Sequence, residues 1–238
     1  MASGGTKTDV TAAIGCFVQN GDGKTVYAVV CKHVTYAANK FSVRGIPFAT
    51  VTQKTKETKK TRETTPTFNH FDIDLVKVKI NQVQKCKPVF RDAHGDIRKA
   101  RIFKGELGSL DPVFACFNNA RNEDERRTGK VLPMSEADET IRDCYSSDTH
   151  FVVKGDSFAT VGHSGRVVAY YDAKSDEGFI ELLGMIVHKT GSQTVCLKLH
   201  NGFKHLNEEY GFNLSLCEPE NYTGDENACV ETGDYINF

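Results

Sequence analysis

The feature that most restricts this chain is a series of short runs in which apolar and polar side chains alternate, beginning at Val26–Val30 and ending at Thr194–Leu199. A period of two puts every second side chain on the same face of a strand, so such runs suit sheets with one buried face and not helices. They recur at Asp72–Ile80, Ala100–Phe103, Val113–Phe117, Phe151–Val153, Arg166–Tyr171 and Phe179–Val187, separated by Gly, Asn and Asp. The hairpin signal is clearest at Asn20-Gly21-Asp22-Gly23. So many short strands in 238 residues, 39% of them hydrophobic, predict an all-β barrel or sandwich, built as one long domain or two small ones. Helical spacing is confined to two places. Phe203, Leu206 and Tyr210 share a face over Asn201–Gly211, with Asn201 as the cap and Gly211 as the stop, and Ser135 could cap a shorter helix with Ile141 facing inward.

Charge excludes whole classes of partner. Thirty basic residues meet 31 acidic ones, a net charge of −1, so no global field draws the chain to nucleic acid or to an anionic membrane. The run QKTKETKKTRETTPT lacks the interleaved aromatics of a nucleic-acid surface and reads as a solvated loop or hairpin, as does NNARNEDERRTGK. The opening MASGGTKTDVTAAIGCF has no secretion signal and no run approaches a membrane span, so the expected location is the cytoplasm. Eight cysteines without a Cys-x-x-Cys pair are then expected as reduced thiols. A zinc site from Cys31, His33 and His200 or His205 would need long-range convergence, so neither metal nor cofactor is expected. Residues 217–238 carry six acidic side chains and no basic one, which reads as an acidic tail or linker.

Chemistry is suggested by the stretch KGDSFATVGHSGRVVAYYD, Lys154 to Asp172, which holds two candidate nucleophiles, Ser157 and Ser164. A serine hydroxyl is a weak nucleophile unless a base takes its proton and donors receive the oxyanion. A base is available at His33, where the apolar strand in YAVVCKHVTY ends. An orienting acid is available in HFDIDLVKVKI, where Asp72 and Asp74 share one face of the expected strand.

The order histidine, aspartate, serine in an all-β chain is that of chymotrypsin-type enzymes. VVCKHV resembles the histidine-bearing strand of trypsin-like proteases, DIDLVKV their aspartate-bearing strand, GHSGRVV their Gly-x-Ser-Gly turn and ELLGMIVHK their substrate-edge strand. The resemblance implies two six-stranded antiparallel β-barrels packed together, over residues 9–95 and 96–199, with a C-terminal helix at 200–212. It implies a serine endopeptidase acting on protein or peptide substrates, with His33 as base, Asp72 as its orienter (Asp74 as fallback) and Ser164 as nucleophile. The N–H groups of Gly162 and Ser164 would form the oxyanion hole. Phe158, Val187, His188 and Lys189 would fall at substrate-binding positions, where His188 or Lys189 could favour an acidic residue. The competing reading is a catalytically silent pseudoprotease serving as a protein-binding module. His163 stands where digestive members carry Asp, so activation by an inserted N-terminus is not implied; regulation is expected from an activating partner, from oligomerisation or from the loops, and the chain could belong to a larger multidomain one.

Overall fold

In the computed structural model, the described residues are 11–21, 23, 25–52, 71–92, 96–108, 110, 112–116, 127–160, 162–171, 178–218 and 229–237. The charged runs at 53–67 and 118–126, and Asp22 of the expected hairpin, lie outside them.

The alternating runs do become strands: β1 (Thr11–Ala13), β2 (Cys16–Gln19), β3 (Val26–Val30), β4 (Lys40–Val43), β5 (Ile46–Val51), β6 (Asp74–Val78), β7 (Cys86–Lys87), β8 (Phe90–Arg91), β9 (Ile97–Arg98) and β10 (Ala100–Ile102). The chain continues with β11 (Val113–Ala115), β12 (Thr128–Leu132), β13 (His150–Lys154), β14 (Val167–Tyr171), β15 (Ile180–Thr190), β16 (Gln193–Lys198), β17 (Ser215–Leu216), β18 (Val230–Glu231) and β19 (Tyr235–Asn237).

Strands β15, β14, β11, β12, β13 and β16 pair in that order, and β16 pairs back to β15, so six antiparallel strands close a barrel. Strand β10 adds to β15 in parallel outside the ring. In the first half the sheet runs β1-β19-β4-β5-β6-β3-β2-β17 and forms a half-barrel among the described residues. One apolar cluster spans both halves, from Phe17, Phe48 and Leu75 to Leu182, Met185 and Leu206, and a second gathers side chains from all six strands of the closed barrel around Phe151, Phe158 and Leu183.

Three expectations change. The helix runs Leu199–Tyr210 with Lys198 at its N-cap, and Asn201 donates from Nδ2 to Asp148 O (2.6 Å) instead of capping; Gly211 does end it, at φ +65°. The shorter helix spans Glu139–Cys144 with Asp138, not Ser135, at the cap and with Ile141 buried. The expectation of an acidic tail or linker over 217–238 gives way at 229–237 to two strands. β18 pairs in parallel with β7, and β19 sits between β1 and β4. Charge alone misleads here because Glu231 is neutralised by Lys87 and Arg91 (3.6 Å each), and Val230 and Ile236 are buried. Among the described residues no helix is long and apolar enough to cross a membrane.

Closure of the barrel depends on close approach at Gly184, where a Cβ would lie 2.3 Å from Phe151 Cε1 and 2.7 Å from Leu197 O. Gly184→Ala is therefore expected to destabilise the protein by about 1–3 kcal/mol in urea unfolding, the range for overpacked cores.

Candidate functional site

The ladder between β3 and β6 determines where the imidazole meets its carboxylate. Val30 lies opposite Asp74 in antiparallel register, so the residues just after β3 come alongside those just before β6. The strand ends at Val30, and His33 sits in the first turn of a short helix, Lys32–Ala37, not at a strand terminus as the alternation suggested. Asp72 precedes β6, so it is free of the ladder and can turn toward that helix. Its Oδ1 accepts the His33 backbone N–H (2.9 Å) and its Oδ2 lies 2.7 Å from His33 Nδ1. Nδ1 thereby carries the hydrogen and Nε2 is left as the basic nitrogen. This hydrogen bond to Asp72 raises the His33 pKa, outweighing the opposing effect of burial.

Asp74, the fallback acid, is committed elsewhere. It is buried, accepts from Leu75 N (2.8 Å), and meets Thr35 Oγ1 (2.6 Å) and the Tyr210 hydroxyl. Burial raises its pKa, and the hydrogen bonds oppose that rise. The pair is braced from behind by the long helix. Lys32, beside His33, pairs with Glu209 (3.3 Å), and Phe71, beside Asp72, stacks on His205 at 4.5 Å and 11°. The hydrogen bond from His205 holds the Glu209 carboxyl down at about 2, so that ion pair persists in acid.

Ser164 lies in the turn before β14, between two glycines with positive φ, Gly162 at +88° and Gly165 at +97°. Only glycine adopts such angles cheaply, and at Gly165 a Cβ would fall 2.2 Å from Ala13 O. The His163 amide donates to Thr160 O (3.1 Å) and that of Gly165 to Ile186 O (2.9 Å), whereas the Gly162 and Ser164 amides meet no acceptor among the described residues. Ser157 is exposed in a turn distant in sequence from β14.

The turn and the imidazole-bearing segment converge on one atom. Ile186 O accepts both the Gly165 N–H and, at 3.4 Å, the thiol of Cys31, two residues before His33. The ligating atoms of Cys31, His33 and Asp72 lie within 4.8 Å of one another. Cys31 is fully buried, and burial, followed by the neighbouring Asp72 carboxylate, raises its pKa far above the usual thiol range. Among the described residues no hydrogen bond joins Ser164 to His33.

At the expected substrate-binding positions, Phe158 is wholly buried in the second apolar cluster and Val187 is buried. A bulge between Ile186 and His188 turns His188 outward, where it stacks with Tyr145 (6.3 Å, 26°). Lys189 Nζ donates to Ala159 O (2.6 Å). Sequence reasoning weighed Cys31 only as a zinc ligand and missed Tyr145. Cys31 stands in the same VVCKHV motif as His33, while nothing in the sequence marks Tyr145.

No protein-family model matches the chain, and no curated protein does. Solved structures do. The structure of a glutamic acid specific serine protease with a novel histidine triad in substrate binding matches with a TM-score of 0.52 at 12% identity, over 86% of this chain and 93% of that one. Protease A of Thermobifida fusca matches with a TM-score of 0.51 at 12% identity, over 87% and 92%. The closed barrel, the half-barrel sheet and the C-terminal helix are the chymotrypsin-like double β-barrel fold. Its solved neighbours here are serine proteases.

His163, next to the nucleophile candidate, is buried, and Thr160 N donates to its Nδ1 (3.1 Å). Burial first, then Arg166, Arg127 and Lys189, push its pKa down to about 4 from an ordinary value of 6.5. Between these values the unfolded chain binds the proton more readily, so stability contributed by neutral His163 is lost as pH falls through this window. Denaturant unfolding at pH 7 and at pH 4.5 is expected to show a smaller loss for His163→Gln than for the wild type.

Proposed function

We propose that this chain is a serine endopeptidase that forms an acyl-enzyme through Ser164. The observation that carries the reading is the 2.7 Å His33–Asp72 pair, tied to the Ser164 turn through the shared Ile186 carbonyl. Ser164 Oγ attacks the scissile carbonyl carbon while His33 Nε2 takes its proton. The carbonyl oxygen becomes an oxyanion received by the Gly162 and Ser164 amides, and each such donor is worth about 2.7–4 kcal/mol in the transition state. His33 then returns the proton to the leaving amine, and water, deprotonated by the same nitrogen, hydrolyses the acyl-enzyme. Chymotrypsin works by the same logic: its aspartate orients the imidazole and stabilises its charged form without taking the proton. Catalytic hydrogen bonds such as the one this step needs between Ser164 and Nε2 commonly tighten only when substrate binds.

The absence of a hydrogen bond between Ser164 and His33 favours a second reading, a pseudoprotease that uses the same cleft to bind protein. A fluorophosphonate probe separates the two. Labelling of the wild type and none of Ser164→Ala is expected; a wild type that stays unlabelled across pH 5–9 would support the binding module.

The substrate class we propose is a peptide with an acidic residue before the cut. Lys189 extends its ammonium to Ala159 O, five residues before Ser164, and His188 faces outward beside it. The glutamic acid specificity of one structural neighbour supports this choice. A charge-assisted bond to the substrate carboxylate is worth about 1.5–3 kcal/mol. Peptides with Glu before the cut should therefore exceed their Gln counterparts in kcat/KM by roughly tenfold or more. Lys189→Met should abolish the difference, and equal turnover of both peptides by the wild type would remove the idea.

A further inference from the structure

The turn that bears Ser164 is held from its far side by strands of the other half of the molecule. The Ala13 N–H of β1 donates to Ser164 O (2.9 Å). Beside it, β19 pairs with β1 so that Tyr235 lies opposite Ala13, and Ile14 and Asp234 continue the contact through Ile14 N to Asp234 O (2.8 Å). The Tyr235 ring lies beneath the Arg166 guanidinium, 4.8 Å from ring centroid to Cζ. Its Cε1 is 3.7 Å from where a Cβ on Gly162 would sit, and Thr11 Oγ1 is 3.1 Å from that point. Two residues on adjacent strands thus close against the glycine whose amide is one of the two donors available to an oxyanion. A third contact, through Arg166, grips the turn from its other end, where Arg166 N donates to His163 O (3.0 Å).

β19 is itself anchored. It pairs with β4 at Asn237 and Ser42, and the turn before it is pinned by Glu231 N donating to Asp234 Oδ2 (2.9 Å). The segment read from sequence as part of a tail is therefore a brace, and it reaches the turn at Gly162 and Arg166.

We propose that Tyr235 is a positioning residue for the oxyanion-binding turn, fixing Gly162 and Arg166 so that the Gly162 and Ser164 amides point to one place. The proposal rests on the endopeptidase reading for its kinetic consequence but not for its structural one. Misplacing a reacting group by about 1 Å costs on the order of 100-fold, so a loosened turn lowers the acylation rate while leaving substrate affinity nearly intact.

The test compares Tyr235→Leu, Tyr235→Phe and Thr11→Ala with Ser42→Ala, a control on β4, which pairs with β19 on the edge away from β1. Fluorophosphonate labelling and peptide hydrolysis are normalised to titrated active sites. Tyr235→Leu should slow labelling and lower kcat roughly 10- to 100-fold with KM little changed, Thr11→Ala should act in the same direction more weakly, and Tyr235→Phe, which keeps the ring, should restore the wild-type rate. A Tyr235→Leu protein that melts lower but has wild-type kcat per active site would reduce the residue to a structural role and overturn the proposal. Hydrogen exchange across residues 162–166 reads the brace without any activity. Faster exchange in Tyr235→Leu than in Ser42→Ala supports it, and equal protection overturns it. If the wild type itself fails to label while exchange responds as expected, it is the endopeptidase reading that falls and the brace that stands.

Discussion

The site depends on a backbone carbonyl, that of Ile186. It receives the amide that follows Ser164 and the thiol that precedes His33, so a strand of the closed barrel joins the candidate nucleophile to the candidate base. Side chains alone could not do this cheaply. Backbone groups are fixed by the β14–β15 and β15–β16 ladders, which cost no additional rotamer freedom, whereas long side chains must be ordered one by one. The bulge at Ile186/His188 lies at the same point, where the strand leaves regular pairing to serve the turn.

The two halves supply different things. The half-barrel sheet provides the His33–Asp72 pair through the β3–β6 register, and the long helix seals that pair from behind through Lys32–Glu209 and Phe71–His205. The closed barrel provides the Ser164 turn. Cations gather behind that turn, and together with burial they keep His163 neutral well below the ordinary histidine range. The neutral ring is held in place by hydrogen bonds with Thr160.

Much of this was legible in the sequence, for identifiable reasons. Period-two alternation marks strands because the pleat enforces it, and strands from Val26–Val30 to Gln193–Lys198 appear where the pattern lies. Asp72 stands just before the strand and turns to His33, while Asp74 is locked in the ladder. Local pattern failed where tertiary pairing decided. The helix beginning at Lys32 and the return of 229–237 into the sheet both depend on partners far away in the chain. Charge counting misread the last of these because it cannot see Lys87 and Arg91 waiting beside Glu231. Phe158, placed by resemblance along a substrate pocket, turned out to be fully enclosed core.

The burial of Cys31 has a practical corollary. A sulfhydryl lying a few ångströms from the imidazole invites the conclusion that thiol-modifying compounds which silence the protein have struck a catalytic cysteine. Cys31 is sealed from solvent and held in its protonated form, whereas Cys144 stands open on the surface next to Tyr145. Alkylation chemistry is therefore steered to Cys144, and loss of function under such reagents reports on the neighbourhood of Tyr145 and His188, not on the identity of the attacking atom.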